Sequence, residues 1–131
     1  MSLSYLDHVN LRTTRLSELC AFYGEVLGLR RGPRPAFPFG GAWLYCGERP
    51  VVHLVEVASA PERVSELSLQ HFAFRGQGLS GMLDSLRRAG IEPRVSVVED
   101  FGICQLNLTD PDGNHLHLDY PLAEATAAGL V

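Results

Sequence analysis

The chain repeats itself, and the repeat carries histidine. His8 stands in Leu6-Asp7-His8-Val9-Asn10-Leu11-Arg12, and His71 stands 63 positions on in Leu69-Gln70-His71-Phe72-Ala73-Phe74-Arg75. His53, in Val51-Val52-His53-Leu54, and His117, in His115-Leu116-His117-Leu118, are 64 positions apart. Two copies of one unit with imidazole at matching places suggest one shared site on a pseudo-two-fold axis. Histidine is the commonest side-chain metal ligand, so the first expectation is a metal centre.

The 131 residues suit one domain that buries roughly two thirds of its unfolded surface. A 46% apolar fraction is that of a globular protein. A net charge of −4 with no basic run argues against a nucleic-acid surface. No apolar stretch approaches a membrane span. Cys20, Cys46 and Cys104 are odd in number and widely spaced, and read as reduced, buried small hydrophobes of a cytoplasmic protein.

Hydrophobic periodicity gives each half the same plan, a strand, a helix and three strands. Leu6 to Arg12 alternates as a strand. Thr13 and Thr14 offer an N-cap to a helical stripe of Leu16, Leu19, Cys20, Tyr23, Val26 and Leu27, which Gly28 ends. Three prolines and three glycines between Arg31 and Gly41 predict irregular structure. Ala42 to Cys46 and Val51 to Val57 read as strands around a Gly47–Pro50 turn. In the second half, Leu69 to Arg75 is a strand and Leu79 to Ala89 a helix ended by Gly90. Glu92 to Val98, Ile103 to Thr109 and Asn114 to Tyr120 are strands, the last two joined by an Asp110–Gly113 turn. The first module spans about residues 5–58 and the second about 68–121. The Ala-rich tail, 122–131, is a short helix or frayed.

Period two decides which side chains meet. His8, Asn10 and Arg12 share a face. So do His115, His117 and Asp119, and so do Gln105 and Asn107. If the helices bury the apolar faces, these polar faces are free to line a concave cup.

Together with Phe22-Tyr23-Gly24-Glu25-Val26-Leu27-Gly28-Leu29 and Asp110-Pro111-Asp112-Gly113-Asn114, the spaced histidines resemble the vicinal oxygen chelate superfamily. This is the glyoxalase/bleomycin-resistance/extradiol dioxygenase fold, and the likeness runs from about Leu6 to Tyr120. It implies an α+β architecture of two βαβββ modules forming an incomplete eight-stranded barrel, in other words a cup. It also implies a divalent metal that chelates two neighbouring substrate oxygens. The family's ligand positions fall on His8, His53, His71 and His117. The eighth-strand position is usually Glu in the family and is His117 here, and the fourth-strand position, often Glu or Gln, is His53. Four neutral imidazoles would leave the full +2 charge on the metal and supply no ligand carboxylate as a base.

Around this set, Asp119 is the carboxylate with the right parity to act as a base or to orient an imidazole. Arg12 and Arg75 are repeat mates that can clamp an anionic substrate, Arg12 beside the catalytic chemistry and Arg75 in substrate binding. Phe37, Phe39, Trp43 and Gln105 complete the candidate substrate contacts. The Phe37-Pro38-Phe39 loop is the expected lid, because apolar residues in a Pro/Gly loop have no periodic core face to explain them. His115 reads as a rim residue.

The expected function is metal-dependent chemistry on a catechol, a keto or hydroxy acid, or an enediol. A dioxygenase-like activity is favoured over a glyoxalase-like isomerase or lyase. The expected cofactor is Fe, Zn, Ni or Mn, and the expected assembly a homodimer. The rival is a non-catalytic protein that sequesters an aromatic ligand.

Overall fold

A computed structural model describes every residue, Met1–Val131. The chain divides into two compact units, Met1–Arg63 and Val64–Val131. Its eight strands form two four-stranded mixed sheets, each open at both edges rather than closed into a barrel.

In the first unit, β1 (Val9–Thr13) leads to α1 (Leu16–Cys20). The Thr13 hydroxyl, expected as a helix cap, accepts instead from the Arg15 N–H ahead of the helix. After Cys20 the helix widens into a π-helical stretch, Ala21–Val26, where the Leu27 N–H bonds the Phe22 carbonyl five residues back. A π turn rotates less per residue than the roughly 100° of an α-helix. The adjacent Phe22 and Tyr23 both lie in the core, edge to face with centroids 5.0 Å apart. Gly28, at φ +85, then ends the helix while its N–H bonds the Gly24 carbonyl.

The sheet runs β1-β4-β3-β2, with β2 (Arg30–Gly32), β3 (Gly41–Cys46) and β4 (Arg49–Glu56). β1 is parallel to β4 and the other pairs are antiparallel. Ala42, Leu44, Val52 and Leu54 are buried on the face that packs on α1 and carries the core with Leu19, Phe22 and Tyr23. Each buried leucine there contributes about 1.5–3 kcal/mol relative to exposure. The opposite face presents Asn10, Arg12, Trp43, His53 and Val55.

Three expectations need correction. The first strand begins at Val9, not Leu6, so His8 lies just outside it. The stretch expected to be irregular opens with a strand, β2, held by pairing with β3. Pro50 lies inside β4 and not in the turn. It is tolerated because β1 pairs with β4 only from Val52 onward, and because the β3 register shifts at Leu44/Tyr45 beside it.

In the second unit, β5 (Phe72–Arg75) is parallel to β8 (His115–Pro121). β7 (Ile103–Thr109) pairs antiparallel with β8 and with β6 (Arg94–Val98), for an order β5-β8-β7-β6. His71, like His8, sits one residue before its strand. α2 (Leu79–Arg88) buries Leu79 and Leu86. The tail forms α3 (Leu122–Ala127), with Ala125 buried. Its Glu124 carboxylate accepts from the Gly78 and Leu79 N–H groups at 2.9 and 3.1 Å and so satisfies donors at the start of α2.

The Asp110–Gly113 turn is built around one carboxylate. Asp110 is 4% exposed; its Oδ1 accepts from the Asp112 and Asn114 N–H groups and its Oδ2 from the Asn114 side chain. Gly113 supplies φ +84. The turn fixes where β8 begins and therefore which face His115, His117 and Asp119 occupy.

All three cysteines are free, but only Cys104 is buried; Cys46 is exposed at the end of β3. No helix is long and apolar enough to cross a membrane.

Candidate functional site

On the polar face of the first unit, β4 holds His53 and β3 holds Trp43 directly opposite it. Their rings stack at 4.0 Å, and His8 stacks on the other side of His53 at 3.8 Å. The run continues from Trp43 to Phe37 at 6.4 Å and from Phe37 to Phe39 at 5.1 Å. Phe37 and Phe39 are about two-fifths exposed, and the Arg34 guanidinium lies over both rings. They are not core residues. The first unit thus brings His8, His53, Trp43, Phe37 and Phe39 into one band of rings. Arg12 lies on the same face, exposed and without an ion pair.

Each imidazole of this unit has one nitrogen tied. His8 Nδ1 donates to the Asp7 carboxylate at 2.7 Å, which leaves Nε2 free. That bond holds the Asp7 carboxyl below its ordinary value. His53 Nε2 donates to the Pro50 carbonyl at 2.9 Å, which leaves Nδ1 free. Burial, and then the neighbouring His8, push the His53 imidazole below its ordinary value and keep it neutral.

On the polar face of the second unit, His117 is ladder partner to both Ala73 and Asn107, and Asp119 to both Arg75 and Gln105. His71 and His117 lie 4.6 Å apart between centroids, tilted by 41°. His117 Nδ1 donates to Asp119 Oδ1 at 2.6 Å, and both side chains are largely buried. His71 Nδ1 donates to Gln70 Oε1 at 2.5 Å. Both rings therefore keep Nε2 free. His115 has both nitrogens engaged, with Gln70 and with Asn107, and burial lowers its pKa. It lies at the rim of the polar face, beside Gln70 and Asn107. Gln105 accepts from the Ser96 hydroxyl at 3.1 Å. Arg75 is exposed and makes no ion pair. Gln70, Arg94, Asn107 and His115 share the wall of an open groove of about 640 Å³ that curves past Ile91 and Glu92.

Histidine that ligates a metal through one nitrogen almost always donates the other N–H to a carboxylate, carbonyl or comparable acceptor. His8, His53, His71 and His117 all have that anchoring. Within neither unit do three His, Cys, Asp or Glu side chains gather closely enough to hold an ion alone. Each unit supplies two such imidazoles, the donor chemistry of a divalent transition metal.

Sequence reasoning missed Asp7 and Gln70. The signal was present, since each immediately precedes its histidine in its copy of the repeat.

The family model of the glyoxalase/bleomycin resistance protein/dioxygenase superfamily matches residues 5–118. The chain belongs to that superfamily. Among solved structures it is similar to a protein assigned to the glyoxalase family from Bacillus anthracis. That likeness has a TM-score of 0.75 and 23% identity, covering 92% of this chain and 98% of the other. A glyoxalase family protein from Enterococcus faecalis gives 0.70 at 26% identity, covering 91% and 99%. Lactoylglutathione lyase from Agrobacterium tumefaciens gives 0.68 at 19%, covering 92% and 96%. No curated protein matches the chain.

Proposed function

We propose that this protein is a metal-dependent enzyme of the superfamily acting on a small molecule with two neighbouring oxygens, such as a catechol, a keto or hydroxy acid, or an enediol. His8, His53, His71 and His117 hold the metal, which is Fe, Zn, Ni or Mn. The observation that carries this reading is that all four imidazoles have one nitrogen tied and the other free. When bound, the metal supplies Lewis acidity toward the two substrate oxygens.

The chain's own residues do the rest. Asp119 orients His117 through Oδ1 and keeps Oδ2 for proton transfer. Arg12 and Arg75, free of ion pairs, clamp substrate charge. Phe37, Phe39 and Trp43 pack against an aromatic or planar substrate and exclude water. Because no ligand is a carboxylate, proton shuttling by a ligand is unavailable. Dioxygenase-like chemistry is therefore favoured over glyoxalase-like isomerisation. The working assembly is a homodimer.

The continuous band from Phe39 to His8 supports a second reading, a non-catalytic binder of aromatic molecules. Metal analysis of protein purified without a histidine tag, coupled to oxygen uptake with catechols, separates the two. The expected outcome is a stoichiometric transition metal that is lost when all four histidines become Ala. A protein that takes up no metal yet binds aromatics overturns the enzyme reading.

A further inference from the structure

The hydrogen bonds on the second unit's polar face can be traced from one fixed point. The Arg94 carbonyl can only accept. Asn107 therefore turns its amide nitrogen toward it, at 3.0 Å, and its Oδ1 toward His115. His115 Nε2 must then carry a proton across that 3.1 Å contact. In the neutral ring Nδ1 is bare, and it accepts from the Gln70 amide nitrogen at 3.1 Å. This leaves Gln70 Oε1 facing His71, whose Nδ1–H donates to it. His71 Nε2 is left with an outward lone pair, the state a metal ligand requires.

The first unit achieves the same result in one step. Asp7 precedes His8 as Gln70 precedes His71, and a carboxylate has no donor end. A glutamine is two-ended. Turned about, it would donate to His71 Nδ1, force the proton onto Nε2 and block ligation. Something must hold it the right way round.

We propose that Gln70, His115 and Asn107 form a positioning relay, anchored on the Arg94 carbonyl, that sets the tautomer of His71 and keeps its Nε2 able to bind a metal. What the relay is for rests on the metal reading above. That it sets the tautomer does not.

Long-range proton–nitrogen NMR of the imidazoles reads tautomers in the metal-free protein. Wild type should give a single Nδ1–H pattern at His71. Asn107→Ala removes the anchor without touching a hydrogen bond of His71, and should turn the pattern into a mixture. Gln70→Leu should do the same, and Gln70 is exposed and outside every strand, so this variant decides the matter if Asn107→Ala does not fold. Gln70→Glu combined with Asn107→Ala should restore the single pattern, because a carboxylate needs no relay. Metal affinity should fall about 10–100-fold in the first two variants and recover in the third. A His71 tautomer unchanged by both Asn107→Ala and Gln70→Leu overturns the relay. If the tautomers respond as expected but wild type takes up no metal, the relay stands and the metal reading falls.

Discussion

Asp119 gives one carboxylate oxygen to His117 and has the other available. A charge-assisted bond of 2.6 Å between two largely buried groups is strong. Asp119→Ala should therefore lower metal affinity about 10–100-fold, measured by competition with a chelating dye at neutral pH. Asp119→Asn, which keeps an acceptor but loses the charge, should fall between that and wild type. Equal affinities in all three proteins would remove Asp119 from any orienting role. At this scale the matched spacing of the four histidines and the shared face of His117 and Asp119 were legible, because duplication marks the former and strand parity the latter. Gln70 was not, because its role depends on His115 and Asn107, which lie 45 and 37 positions away in sequence and meet it only when β7 and β8 are paired.

Among the elements, β7 and β8 place Cys104 directly opposite Tyr120, both buried. Burial raises both pKa values above their ordinary 9.0 and 10.0, with Asp119 adding to the effect on Cys104 and Glu124 to that on Tyr120. Above those ordinary values the unfolded chain releases protons that the folded chain retains. Stability is thus full below about pH 9 and declines as pH rises toward the folded values. Denaturant midpoints across alkaline pH should show that decline, and the Cys104→Ala, Tyr120→Phe double variant should flatten it. A double variant that declines as steeply as wild type would mean the loss lies elsewhere. Most elements could be read from periodicity, since their apolar faces are regular. Three features could not. β2 is a three-residue strand made by its partner, Pro50 is rescued by the reach of β1, and the π-helical stretch has no signature in a 3.6-residue pattern.

For the molecule as a whole, each four-stranded sheet ends in two edge strands, β1 and β2 in one unit, β5 and β6 in the other. Open edges expose unpaired backbone groups, which proteins usually cover. The protein should accordingly be a homodimer by light scattering across micromolar concentrations; a monomer throughout that range would contradict this. The βαβββ plan was visible in the sequence because it occurs twice, and each copy checks the other. The copies nonetheless differ in how free they are to change. Asp7 makes its side-chain hydrogen bond to His8 directly, with no relay of further side chains behind it. Gln70 is correct only while Asn107 and His115 are correct. A substitution at any of the three alters what the other two can tolerate, so the second half of the chain should show epistasis where the first shows independence. If the relay holds, one half of the duplicated unit is bound to co-vary while the other can change one residue at a time.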